Sequence, residues 1–392
     1  MNFMDIKNID NFLLGTVENL QVPSIAAIIV DQEKILYEGY YGFKNINTQE
    51  RINHNTLFRI ASMTKPITSL CILQLIERGS INLDTNIEDI SEKYKNIQII
   101  NSFEANNPIY TNPTNKIKIK HLLNHTAGYG YEIWDKEINE LVNLKLLNSL
   151  FNDDSDFLNA PILFNPGEEW KYGINIDVLG DLVEKITNQK LGTFMNENIF
   201  KKINMTKTSF DLTKEDFENI AIKHSMNKNN EYIIEDDELE FHNSKKSNQF
   251  HAGGGGLFST PRDYSKFMQI FLNQGKLNNH TLLSKENFKN MTTNQIGSLN
   301  TKKLNSVMPD ISNITDFNPE IQKKFSYGFM INTEKTNEGR PKNSLFWTGL
   351  LNTFFWIDLE NKLAASIFMQ TKPYFSKECV EIFKNFERKI YS

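Results

Sequence analysis

Residues 58–77 restrict the possible folds of this chain more than any other stretch. Ile67, Leu70, Cys71, Leu73, Leu75 and Ile76 are dense enough to wrap most of a helix in apolar side chains, and such a helix belongs in the middle of a molecule. Pro66 fits only its first turn, where a missing N–H costs nothing. Ser62 then falls at the helix N-terminus and Lys65 three residues on, on the same face. A serine hydroxyl is a poor nucleophile until a neighbouring base takes its proton, and a buried lysine is one such base. The helix N-terminus adds unpaired N–H groups and a positive dipole end, which favour the negative charge that develops during acyl transfer.

Ser-x-x-Lys alone is a common pattern. Ser225 and Lys228 repeat it, yet they stand in a polar run with no apolar helix behind them. The rest of the chain must supply the context. With 392 residues there is enough chain for one large domain or two intimate ones. A net charge of −5 implies no basic face and argues against a nucleic-acid partner. No apolar run is long enough to span a bilayer, and the first ten residues lack the basic start and apolar stretch of a signal peptide, so a cytoplasmic protein is expected. Of the two cysteines, Cys71 sits inside the apolar helix and reads as a small hydrophobe.

Residues 24–30 and 35–43 read as two strands joined by a polar turn, after a helical segment that ends near Leu20. The other end mirrors them: residues 326–332, 344–348, 353–358 and 363–369 are β-rich, and 376–391 form a last helix. Strands near both ends that lack partners of their own pair most simply into one antiparallel sheet. The expected fold is therefore α/β of the α+β kind: a sheet part from 1–64 and 326–392, flanked by helices, and a mainly helical inserted part from 65–325, with the active site between them. Helices are expected over 177–186, 261–273 and 284–291. The polar stretches 227–249 and 299–325 are too long for tight connections and read as lids or surface loops.

Four further runs carry chemistry or exclude it. His121 and His125 have the i, i+4 spacing of a helical metal pair, but Leu122 replaces the glutamate of that pattern and no third ligand follows, so a helix end turning at Gly128 is the reading and no metal is called for. Tyr129, Tyr131 and Trp134 just beyond are candidates for an acyl pocket. A Pro166-Gly167 turn presents Tyr172 on a loop at the entrance to an apolar helix. The four glycines Gly253, Gly254, Gly255 and Gly256 lack the Lys and Ser/Thr of a phosphate loop, which leaves close backbone packing near a site as their role. Finally Thr348-Gly349 ends a strand where its backbone can lie beside an acyl group, with the Leu350 N–H aimed at a carbonyl oxygen.

Taken in order, Ser62-x-x-Lys65, the Leu122-Leu123-x-His125-Thr126-x-Gly128 run, Pro166-Gly167-x-x-Trp170-x-Tyr172, the glycine run with Asp263-Tyr264, and Thr348-Gly349 resemble the serine β-lactamase and penicillin-binding-protein superfamily. The likeness is greatest to its class C β-lactamase-like branch, in particular the family VIII carboxylesterases, and runs from about Ser24 to Met369. The resemblance implies Ser62 as the acylated nucleophile, Lys65 and Tyr172 as its catalytic partners, and the backbone N–H groups of Ser62 and Leu350 as the oxyanion hole. Trp347, Thr348 and Gly349 stand at the Lys-Thr-Gly position as substrate-binding residues.

Two departures bear on substrate. Ile174 occupies the place of the asparagine two residues after the tyrosine, with Asn175 one position late, and Trp347 replaces the cation before Thr-Gly. Loss of a charge-assisted contact removes roughly 1.5 to 3 kcal/mol of recognition for a substrate carboxylate. The expected activity is a serine carboxylesterase acting on small neutral esters through a Ser62 acyl-enzyme, with no cofactor. Either Lys65 or Tyr172 is the resting base. Amide or weak β-lactam or D-amino-peptide hydrolysis is the first alternative; a catalytically inactive binding homologue is the second.

Overall fold

A computed structural model describes residues 4–392 apart from 20, 153, 230 and 236–249. Eight antiparallel strands make the main sheet: β1 (Ser24–Val30), β2 (Ile35–Asn45), β3 (Glu50–Arg51), β4 (Lys323–Phe325), β5 (Met330–Asn332), β6 (Leu345–Gly349), β7 (Thr353–Asp358) and β8 (Leu363–Phe368). Their order is β4-β5-β6-β7-β8-β1-β2-β3, so the two ends of the chain meet where β8 pairs with β1. The register sets Ala26 opposite Phe368 and Val30 opposite Ala364. β4 lies at the end of the stretch 299–325, which was expected to be loop. Three residues of Lys-Lys-Phe carry no alternation that a sequence reading can detect.

Both faces of the sheet are covered. β1, β6, β7 and β8 are buried along their whole length, as expected for strands sandwiched between helices. Alternate residues of β7 go to opposite faces. Phe354 and Trp356 meet Phe383 and Phe386 of α5 (Lys377–Tyr391), while Phe355 meets Tyr264 of α4 (Pro261–Leu272). α1 (Ile6–Glu18) packs beside α5, and Lys389 Nζ reaches Asn8 Oδ1 across them at 2.7 Å.

α2 (Lys65–Glu77) is buried from Lys65 through Leu75, as its all-round apolar pattern requires. It packs against α3 (Asn175–Thr187), and the strand end of β6 rests on the short 3₁₀ turn Ala61–Thr64 that leads into α2. Of the polar stretches, 236–249 and residue 230 lie outside the described residues, while 227–229 and 231–235 include the strand Tyr232–Ile234. The stretch 299–325 is bound down rather than loose: Leu304 and Thr315 exchange backbone bonds, and the Val307 N–H donates to the Ile133 carbonyl at 2.9 Å. Among the described residues no helix is long and apolar enough to cross a membrane.

Candidate active site

Where α2 begins, the backbone turns sharply. Ala61 has φ of +43°, a conformation that an alanine seldom adopts, and the turn after it brings Ser62 to the wall of a cavity of about 430 Å³. The β6 end fixes that turn from behind: a Cβ on Gly349 would lie 2.3 Å from the Ile60 carbonyl oxygen, so only glycine allows the strand to approach so closely.

Ser62, Lys65 and Tyr172 converge. Lys65 Nζ reaches Ser62 Oγ at 3.1 Å, and the Tyr172 hydroxyl reaches the same oxygen at 2.6 Å. Lys65 is 1 % exposed, and its Nζ also donates to the Tyr131 hydroxyl at 3.0 Å and to the Gly254 carbonyl at 2.7 Å. Tyr131 in turn donates to Asp177 Oδ2 at 3.0 Å, and Asp177 Oδ1 accepts the Gly254 N–H at 2.8 Å. Burial pushes the Asp177 carboxyl above its usual range while the Lys65 charge pulls it back. Burial, then the Asp177 charge, hold the Tyr131 phenol well above the usual range.

The glycine run makes this convergence possible. A Cβ at Gly254 would sit 2.2 Å from Asp177 Oδ2, and one at Gly253 would press on the Ile176 carbonyl oxygen at 2.9 Å. Asn175, the displaced asparagine, turns away from Lys65: its Nδ2 lies 2.9 Å from His125 Nδ1, packed behind the Tyr172 ring. Ile174 is buried, and the polar contact to Lys65 comes from Tyr131.

The aromatic candidates divide. Tyr131 and Trp134 line the cavity with Ile133, Leu150, Phe157 and Phe250, and Leu350 stands on the same wall as Ser62. Trp134 is anchored by its indole N–H to Ser312 Oγ at 3.0 Å. Tyr129 does not reach the wall. Its ring lies in the core, fully buried, and its backbone runs so close to Gly173 that a Cβ there would lie 2.0 Å from the Tyr129 carbonyl oxygen. Trp347, Thr348 and Gly349 are also absent from the wall. Trp347 is 3 % exposed, its ring 4.9 Å from that of Tyr172, with an indole N–H that has no acceptor among the described residues. β6 turns this side chain toward Phe325 and the core, against the Tyr172 ring. Thr348 Oγ1 is bound to the Tyr374 hydroxyl at 2.5 Å.

Sequence reasoning missed Asp177 and the cavity residues Phe210 and Phe250. A lone acid between Ile176 and Val178 in an otherwise apolar helix start was the available signal for Asp177. For the two phenylalanines, far apart in the chain, there was none. The two helical histidines serve as structure. His121 Nδ1 accepts the Lys118 N–H at 3.2 Å, and His125 lies past the helix end with φ of +60°. Among the described residues no group of three or more His, Cys, Asp and Glu could hold a metal ion.

Comparison with known proteins gives this geometry a context. A methylbutanoyltransferase acting on ML-236A carboxylate, from Penicillium citrinum, is 28 % identical over 86 % of this chain and 81 % of its own. The esterase EstB of Burkholderia gladioli is 29 % identical over 47 % of this chain and 46 % of its own. Among solved structures, a mutant simvastatin synthase from Aspergillus terreus superposes with a TM-score of 0.82 at 22 % identity, covering 99 % of this chain and 95 % of its own, a likeness of fold. EstCE1, a hydrolase with promiscuous acyltransferase activity, does so with 0.77 at 17 % identity over 98 % of both chains. The beta-lactamase family model matches residues 9–383, and with that match, an antiparallel sheet built from both chain ends and a Ser62, Lys65 and Tyr172 cluster, the chain belongs to the beta-lactamase family.

Proposed function

We propose that this protein transfers acyl groups from neutral carboxylic esters through an ester of Ser62, with water as the acceptor in a carboxylesterase reaction. The observation that carries the reading is Ser62 Oγ held between Lys65 Nζ and Tyr172 Oη on the wall of a mainly apolar cavity. Lys65 or Tyr172 takes the Ser62 proton as Oγ attacks the ester carbonyl. The backbone N–H groups of Ser62 and Leu350 stabilise the oxyanion. Tyr172 protonates the departing alkoxide, and water, activated over the same route, releases the acid and restores Ser62.

A second acceptor has support of its own. The cavity of about 430 Å³ is several times larger than a short acyl chain, and Trp134, which lines it, also lines a second cavity of about 270 Å³ together with Tyr172, Lys171 and Lys303. An alcohol bound there would meet the phenol that moves the proton. The methylbutanoyltransferase among the relatives accords with acyl transfer to an acceptor other than water.

The test is turnover of chromogenic short-chain esters beside a chromogenic cephalosporin, by wild type and Ser62→Ala, with and without an added bulky alcohol. Ester turnover that falls about a thousandfold or more in the variant is expected, with little cephalosporin cleavage. New ester formed from the alcohol at the expense of free acid assigns the transferase arm. Ester turnover that survives in folded Ser62→Ala removes the whole reading.

A further inference from the structure

The Ser62 cluster continues inward beyond the three residues of the pattern. Lys65 Nζ has three acceptors, Ser62 Oγ, Tyr131 Oη and the Gly254 carbonyl, which is the number an ammonium can satisfy and one more than the N–H groups of an amine. Tyr131 spends its own proton on Asp177, and the second carboxylate oxygen takes the Gly254 N–H, so Gly254 ties the lysine and the acid together from both ends of one residue.

We infer that Asp177 is a positioning residue for the reaction proposed above: acting through Tyr131 and Gly254, it supplies the counter-charge that keeps Lys65 an ammonium and leaves Tyr172 to receive the Ser62 proton. This assignment rests on the Ser62 acyl-enzyme reading. Its physical ground is a charge balance. Asp177 is 4 % exposed, and a carboxylate buried to that extent needs a cation. Lys65 lies one hydroxyl away. If Lys65 surrendered its proton to act as the base, the acid would be left as an uncompensated buried charge. If Tyr172 does so, the ion pair survives and the phenolate faces the ammonium, whose Nζ stands 4.8 Å from the ring centre.

Burial and the Asp177 charge hold Tyr131 as a neutral phenol, so it passes the hydrogen bonds on without accepting a proton itself. Among the described residues the titratable groups that act on Asp177 are Lys65 from α2, Tyr131 from the loop before residue 135, with Tyr172 beside it, and Tyr94 from the turn Glu92–Tyr94, whose own hydroxyl donates to Asp181 Oδ2 at 2.8 Å. His125 faces Lys65 and is held neutral by burial.

The experiment is the pH dependence of kcat/KM on a chromogenic ester for wild type, Asp177→Asn and Tyr131→Phe. The active form carries its base deprotonated beside the Asp177 charge, so removing that charge makes the deprotonation easier. In Asp177→Asn the acid limb should move down by about one pH unit while plateau kcat falls about tenfold or more, with KM within about threefold. Tyr131→Phe removes one hydroxyl and should move the limb in the same direction, and it decides alone if the Asn variant does not fold. A limb that stays in place in folded variants assigns Asp177 to packing and overturns the inference, whatever happens to kcat. Wild type that turns over no ester would instead sink the acyl-enzyme reading itself.

Discussion

Tyr172 and Trp347 lie ring against ring, yet substitution should affect them in opposite ways. Tyr172→Phe keeps the ring and its contacts and removes only the hydroxyl that lies 2.6 Å from Ser62 Oγ, so the fold should hold while kcat/KM drops by about 10² to 10⁴. Unchanged ester kinetics in that variant would show that the phenol moves no proton. Trp347→Lys, the exchange that restores the missing cation before Thr-Gly, puts an ammonium among Phe325, Tyr172 and the sheet. It should cost about 3 kcal/mol or more in urea unfolding, through lost packing and a desolvated charge, and should confer little cleavage of anionic β-lactams. At this scale the sequence was informative where chemistry is local. Ser62 and Lys65 are three residues apart, and Tyr172 is announced by the turn before it. Tyr131 and Asp177 meet only after α2 and α3 pack, so their bond has no signature in spacing. That the Tyr129 and Trp347 rings turn into the core and not onto the cavity wall was not legible either, because a sequence does not reveal which way a ring turns.

The elements that hold the site are fitted by backbone contact more than by side chains. β6 stands so close to the turn carrying Ser62 that a methyl group on Gly349 would strike both the Ile60 oxygen and Thr353 Oγ1 at 2.3 Å. Gly349→Ala should therefore displace that turn and lower kcat by about a hundredfold, a loss that a stopped assay on folded protein would detect and that normal turnover would refute. The strands β1, β7 and β8 were legible because they are continuous apolar runs bounded by polar turns, and α2 because its apolar residues go all round. β4 was not, since a three-residue edge strand with two lysines is held by pairing with β5 and not by any pattern of its own.

Across the whole molecule, stability should follow the histidines. Burial lowers His121 and His224 from 6.5 to about 4 and His125 well below 6.5. In the window between those values the unfolded chain binds protons that the folded chain refuses, so the histidine contribution to stability is complete above about pH 6.5 and declines as pH falls toward 4. Unfolding midpoints at several pH values should trace that decline, and His224→Leu, which replaces a buried ring with no side-chain partner among the described residues by an apolar group, should make it shallower. A midpoint that holds or rises on acidification contradicts this account. The meeting of β1 and β8 has a consequence for biosynthesis. Their paired residues lie more than 330 positions apart. At ordinary translation speeds β1 leaves the ribosome on the order of 20 to 70 s before its partner does. Through that interval the nascent chain carries the apolar run Ser24–Val30 with one edge open, a template for pairing with any neighbouring chain. The yield of native protein then depends first on whatever shields that edge during synthesis, such as a chaperone, and only afterwards on the strength of the finished sheet.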